Sequence, residues 1–258
     1  MIRGYFVPYA DIDTGQAVDF AAEHKKKAFD FVVLRAGRSA LNYNIHGVAV
    51  VENVKNSAYD GYVNQLKALG IPWVTVYQAY PWEWGNEQAQ FYFDIIKDDM
   101  PVFPIVSLEH YGEWLPFMES DRIDFYNVFT GKLNSLTGGR YKPDPQVGLY
   151  TNLSWLRTYL PNMPAEFRRN VANFTAQWTG GSAPAVEGFA TWTLWQKSQT
   201  EVYFNGDKAE FEAWAKYRLT YTGDTESETE PETEPEPTKH WLVVLLEWII
   251  ELIKKLVG

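Results

Sequence analysis

Along the first 220 positions, short apolar runs alternate with stretches of helical spacing. Runs at 3–8, 31–36, 73–78, 102–107, 147–150, 173–177 and 190–195 predict strands, and a possible eighth lies at 201–204. Several are apolar on both faces, as parallel strands covered by helices are. Between them, 3.6-residue periodicity predicts helices at 16–27, 58–69, 86–97, 122–136 and 153–160, with a last one at 208–217. Seven or eight strands with crossover helices in this length point to an α/β protein, an irregular (β/α)8 TIM-like barrel over residues 1–220. A doubly wound open sheet is the other arrangement, but no glycine-rich dinucleotide or phosphate-loop fingerprint accompanies it.

The pattern then breaks. From 223 to 238 the chain reads GDTESETEPETEPEPT, with an acidic residue at every even position from Asp224 to Glu236. Those seven carboxylates account for most of the formal charge of −10. Nothing apolar there repays the entropy of ordering, and repulsion and proline favour extension, so 221–239 is expected to be a disordered linker. Residues 240–258, HWLVVLLEWIIELIKKLVG, form a third part. Leu242, Leu245, Ile249, Leu252 and Leu256 follow 3-4-3-4 spacing, while Glu247, Glu251, Lys254 and Lys255 share the opposite face. This predicts an amphipathic helix with a wide apolar face, roughly 27 Å long and just short of a bilayer core. Two glutamates within it weigh against a simple membrane span. Self-association in a bundle or contact with a membrane surface are its two outlets.

Composition narrows the chemistry. The chain of 258 residues has no cysteine, which excludes disulfide scaffolds, thiol chemistry and classical zinc fingers. A net charge of −10 disfavours nucleic acid as a partner. No classical signal peptide is expected from the opening residues MIRGYFVPYADID. His24, His46, His110 and His240 show no ligand spacing, so no metal site and no cofactor are expected.

In a barrel, chemistry sits at the C-terminal ends of the strands. There PVFPIVSLEHYGEW places Glu109 just beyond an apolar strand, followed by His110 and Tyr111. A carboxyl in aromatic surroundings suits a general acid. From spacing alone, a plain loop carboxylate and a loop histidine are the simpler readings of Glu109 and His110. Aromatics crowd the other strand ends: Tyr77, Tyr80, Trp82 and Trp84, then Tyr150, Trp178, Trp192 and Trp195. Flat rings suit the apolar faces of sugars, and their polar tips suit hydroxyls. Roughly half of them are expected to be core instead.

Five segments, DFVVLRAG (30–37), YVNQLKALGIPWVTVY (62–77), VGLYTNLSWL (147–156), FTAQW (174–178) and TLWQK (193–197), resemble the glycoside hydrolase family 25 lysozymes. Their order and spacing match through nearly all of residues 1–217. The resemblance implies an irregular (β/α)8 barrel that cleaves the β-1,4 bond after N-acetylmuramic acid in peptidoglycan. It also implies action at the cell wall or outside the cell.

The departures concern the acids. The family opens with Gly-Ile-Asp-Val-Ser; here the aspartate position falls on Phe6. Its Asp-x-Glu is Ser107-Leu108-Glu109, so only the general-acid position, Glu109, is kept. Its late aspartate falls on Thr200, ahead of Phe204-Asn205-Gly206. Glycoside cleavage normally needs a second carboxyl to stabilise the developing oxocarbenium, and serine supplies no negative charge. Asp11, Asp13, Glu83 and Glu113 are the carboxylates that would have to substitute. Three readings follow. The first is a peptidoglycan-directed protein of lysozyme fold with lost or much reduced muramidase activity, binding sugar through Tyr77, Trp82, Tyr150, Trp178 and Trp195. The second is an active N-acetylmuramidase of endolysin type. The third is a structural subunit assembled as a homo-oligomer through 240–258.

Overall fold

The computed structural model describes residues 1–7, 17–43, 49–80, 85–108, 118–141, 147–165, 167, 172–176 and 193–220. Its strands are β1 (Ile2–Phe6), β2 (Phe31–Tyr43), β3 (Ala49–Lys55), β4 (Trp73–Gln78), β5 (Phe103–Ser107), β6 (Gly148–Asn152), β7 (Ala172–Ala176), β8 (Leu194–Gln196) and β9 (Glu201–Phe204). Its helices are α1 (Phe20–Lys26), α2 (Tyr59–Leu69), α3 (Gly85–Ile96), α4 (Glu119–Leu136), α5 (Leu153–Tyr159) and α6 (Lys208–Thr220). The sheet runs β1-β9-β8-β7-β6-β5-β4-β2, and a β1–β2 pairing closes it into an eight-stranded barrel. The α/β barrel expected from the sequence is the fold observed.

Two features make the barrel irregular. β9 runs antiparallel to both β8 and β1, so the last strand returns as a hairpin where a crossover would otherwise occur. β2 continues past the barrel rim to Tyr43 and pairs antiparallel with β3, a strand outside the ring that the apolar pattern does not announce. Of the 190–195 run, residues 193–195 are described, and β8 spans Leu194–Gln196.

Alternation along each strand separates two apolar layers. Phe6, Phe31, Val33, Val74, Val76, Phe103, Ile105, Tyr150, Phe174, Leu194 and Val202 face inward and pack with one another. Val32, Leu34, Ala36, Tyr77, Val106 and Leu149 face outward and pack with the helices, against Tyr62 and Leu66 of α2, Tyr92 and Ile96 of α3 and Phe129 of α4. Gly4 and Gly148 are inward positions where a Cβ would lie 2.5 Å from the Phe31 ring and 2.8 Å from the Phe103 ring. Glycine there leaves room for large rings in a narrow interior.

The ends of the barrel differ. At the N-terminal end α6 closes the interior: Phe211 stacks on Phe31 at 5.1 Å and meets Phe204 edge-on at 5.2 Å. Its start is fixed reciprocally, with Glu210 N donating to Asp207 Oδ1 at 2.9 Å and Asp207 N donating to Glu210 Oε2 at 2.7 Å. α1 is likewise capped by Asp19, which accepts from Ala22 N, and α5 by Asn152, which accepts from Trp155 N. α2 ends where Gly70 takes a left-handed conformation, φ 65°, and its N–H bonds back into the last turn. With α6 at one end, the C-terminal strand ends are left as the place for a site.

Candidate functional site at the strand ends

Strand register brings the inward residues of the C-terminal ends together. Gln78 of β4 is level with Ser107 of β5, which is level with Tyr150 of β6. Asn152 of β6 is level with Ala176 of β7, which is level with Gln196 of β8. Phe6, the last residue of β1, completes this layer from the opposite wall. Its ring stacks on Tyr150 at 6.2 Å and meets Phe174 edge-on at 6.1 Å, and only 2% of its surface is exposed. Tyr150 Oη donates to Gln196 Oε1 at 2.6 Å, tying β6 to β8 across this layer.

The three positions that the family resemblance assigns to replaced acids lie at the same end of the barrel. The backbone N–H of Phe6 donates to the carbonyl of Thr200 at 2.9 Å, so those two positions are neighbours. Ser107 is buried one strand away from the Tyr150 on which Phe6 stacks. The environment, however, is that of an aromatic plug. Phe6 is surrounded by Tyr150, Phe174 and the guanidinium of Arg35, whose Cζ lies 5.3 Å from the ring centroid. That contact places the Arg35 guanidinium over a π face. Among the described residues, no Asp or Glu occupies an inward position of a barrel strand. Glu201, next to Thr200, points outward and pairs with Arg3.

The aromatic residues expected to bind sugar divide. Tyr150 lies in the strand-end layer. Tyr77 does not: Val74 and Val76 take the inward positions of β4, which turns Tyr77 out toward the helices. There it is fully buried, stacked on Tyr92 at 5.2 Å and on Phe129 at 6.0 Å. Its hydroxyl lies 2.6 Å from Ser39 Oγ and 3.0 Å from Asn53 Oδ1, and Ser39 Oγ is 2.8 Å from Gln88 Oε1. Gln88 in turn holds both the N–H and the carbonyl of Tyr80. This network braces the β2–β3 extension and the end of β4 against α3, and the Tyr77 ring is not presented to a ligand. Trp195 also sits on the outer face, because Leu194 and Gln196 are inward; it packs beside Tyr203 at 5.7 Å with Lys197 over its ring. Both corrections have one cause. On strands apolar on both faces, the sequence does not show which side is the interior.

Glu109, Trp82 and Trp178 lie outside the described residues, as do His110, Tyr111, Trp84, Trp192, Asp11, Asp13, Glu83 and Glu113. The acidic linker 221–239 and the helix 240–258 lie outside them too. What the sequence reading missed is the cationic character of β2. Arg35 and Arg38 sit in the part of β2 that pairs with β4, on the barrel side, Arg38 level with Gln78, across a register shift between Arg35 and Gly37. The available signal was the pair of arginines in the otherwise apolar run DFVVLRAGR, since a charge on a covered strand is rarely idle.

Neither a family model nor a curated protein matches the sequence. Solved structures do match in three dimensions. The bacterial lysozyme from Streptomyces coelicolor aligns with TM-score 0.64 and 17% identity over 83% of this chain and 96% of that one. A family 25 lysozyme from Aspergillus fumigatus gives 0.63 and 18% over 83% and 98%. A family 25 glycosyl hydrolase from Bacillus anthracis gives 0.63 and 15% over 83% and 94%. The likeness is one of fold: the barrel is built as those of the family 25 lysozymes are, as the sequence resemblance implied.

Proposed function

We propose that this chain is a peptidoglycan-directed protein of lysozyme fold whose muramidase activity is absent or very low. The observation that carries the reading is the Phe6 plug. Hydrolysis of a glycosidic bond needs a proton donor and a second group that stabilises positive charge at the anomeric carbon. Glu109 retains the first position. The second would have to act at the strand ends that carry Phe6, Ser107 and Thr200, and a buried phenylalanine facing an arginine supplies no negative charge there. Losing such electrostatic stabilisation typically costs several kcal/mol of barrier. Peptidoglycan as the glycan is supported by the lysozymes that share the fold.

Sugar binding in this reading relies on ring faces and neutral hydrogen-bonding groups. Tyr150, Gln78 and Gln196 belong to the described strand ends, and Trp82 and Trp178 lie on the segments that follow β4 and β7 in sequence. In this reading residues 240–258 serve self-association, set apart by the acidic stretch before them; the 3-4-3-4 apolar spacing supports a bundle.

The test is incubation of the full chain with purified peptidoglycan, measuring pelleting and newly formed reducing ends together. The expected result is co-pelleting without release of reducing ends. Release comparable to an ordinary lysozyme, abolished by Glu109→Gln, would establish the active muramidase instead. Neither pelleting nor release would leave the structural-subunit reading.

A further inference from the structure

We propose that the strand-end layer binds the anionic group of an acidic saccharide, held by Arg38; this rests on the reading that this end of the barrel takes a glycan. Arg38 is level with Gln78, whose strand turns Val74 and Val76 inward, so both side chains leave the sheet on the barrel side. It is half-buried, and its Nε is shut off from solvent with no hydrogen-bond partner among the described residues. A buried guanidinium N–H without an acceptor is costly unless something else supplies one.

Among the described residues of the strand ends little neutralises it. The inward polar neighbours at the strand ends, Gln78, Ser107, Asn152 and Gln196, are all uncharged. Arg35, three residues earlier on β2, places a second guanidinium over the Phe6 ring. Glu52 of β3, two positions from the Val54 that pairs with Arg38, is exposed on the outer stretch of the hairpin. Where the family resemblance implies a ring of acids, the described residues of this chain present cations and amides. That inversion favours a ligand carrying negative charge. The planar fork of an arginine matches a carboxylate or phosphate in two-point fashion, and the Tyr150 ring and glutamine amides suit the attached sugar.

The experiment compares oligogalacturonate with chitooligosaccharide of equal length, titrated into the full chain at low ionic strength and followed by tryptophan fluorescence and calorimetry. The acidic oligomer should bind at least about tenfold more tightly, the scale of one charge-assisted hydrogen bond. That advantage should shrink on raising salt to about 0.5 M, while neutral binding stays put. Arg38→Gln should bring the acidic oligomer to the level of the neutral one, and Arg38→Lys should keep part of the difference. Thermal melting checks that both variants fold, and the salt response of the unaltered chain gives a readout that needs neither. Equal affinities for the two oligomers, or an advantage untouched by Arg38→Gln, would overturn the inference while leaving the glycan reading intact. Binding of neither oligomer would defeat both. Inorganic phosphate binding as tightly as the acidic oligomer would mark a free-anion site and overturn the saccharide assignment.

Discussion

Phe6 concentrates the question of activity into one side chain. Its ring contacts Tyr150, Phe174 and Arg35 at once, so replacing it changes packing as well as charge. Phe6→Asp should destabilise the fold by about 3–5 kcal/mol, the usual cost of removing a buried ring, offset in part by attraction between the new carboxylate and Arg35. Urea denaturation measures this directly. Combined with Ser107→Asp, the change returns acids to two positions that share one layer with Tyr150. Reducing-end release from peptidoglycan should then rise above that of the unaltered chain. No gain in a folded double variant would mean that the groove itself, and not only its charges, has changed.

Among the elements, the β2–β3 extension is the most exposed to single changes. It lies outside the barrel ring, so among the described strands β3 pairs with β2 alone. What ties it down is the buried network of Ser39, Tyr77, Asn53 and Gln88, with Gln88 also holding the backbone of Tyr80. Gln88→Ala removes the acceptor for the Tyr80 N–H and the donor to its carbonyl. A cost of about 2–4 kcal/mol follows, from two backbone groups losing buried partners. Amide hydrogen exchange should show protection lost first in β2 beyond Gly37 and in β3, while β5 and β6 stay protected. Uniform loss across the barrel would show that the network serves the whole core. Arg38 sits on this extension, so the same variant should also blunt any preference for an acidic ligand.

At the scale of the whole molecule, a closed barrel with a plugged N-terminal end is joined by sequence to an acidic stretch and a wide-faced amphipathic segment. An apolar face of that width is not stable alone in water, so burial in a bundle is the expected outcome. Sedimentation of the full chain should give an oligomer, and a chain ending at Thr222 should give a monomer. Two monomers, with neither floating on liposomes, would remove assembly and membrane contact together as roles for 240–258.

The sequence by itself determined most of the barrel. Trp73–Gln78 and Glu201–Phe204 are strands where the apolar runs lie, and α2 through α5 fall within a few residues of their periodic stretches. Local pattern suffices there because each run is long enough to set its own period and ends in capping or turn residues such as Asp19, Gly70 and Asp207. The family resemblance likewise named Phe6, Ser107 and Thr200 from order alone. Only the tertiary structure decided which face of each strand is interior. It turned Tyr77 into a brace and Trp195 into an outer-face residue, kept Tyr150 at the strand ends, and brought Arg35 and Arg38 into the picture. Alternation fixes that two faces exist, but when both are apolar the choice between them is made by closure of the ring, a contact between β1 and β2 that no local pattern contains. The antiparallel return of β9 has the same origin, since strand direction is set by where the chain must meet its own beginning.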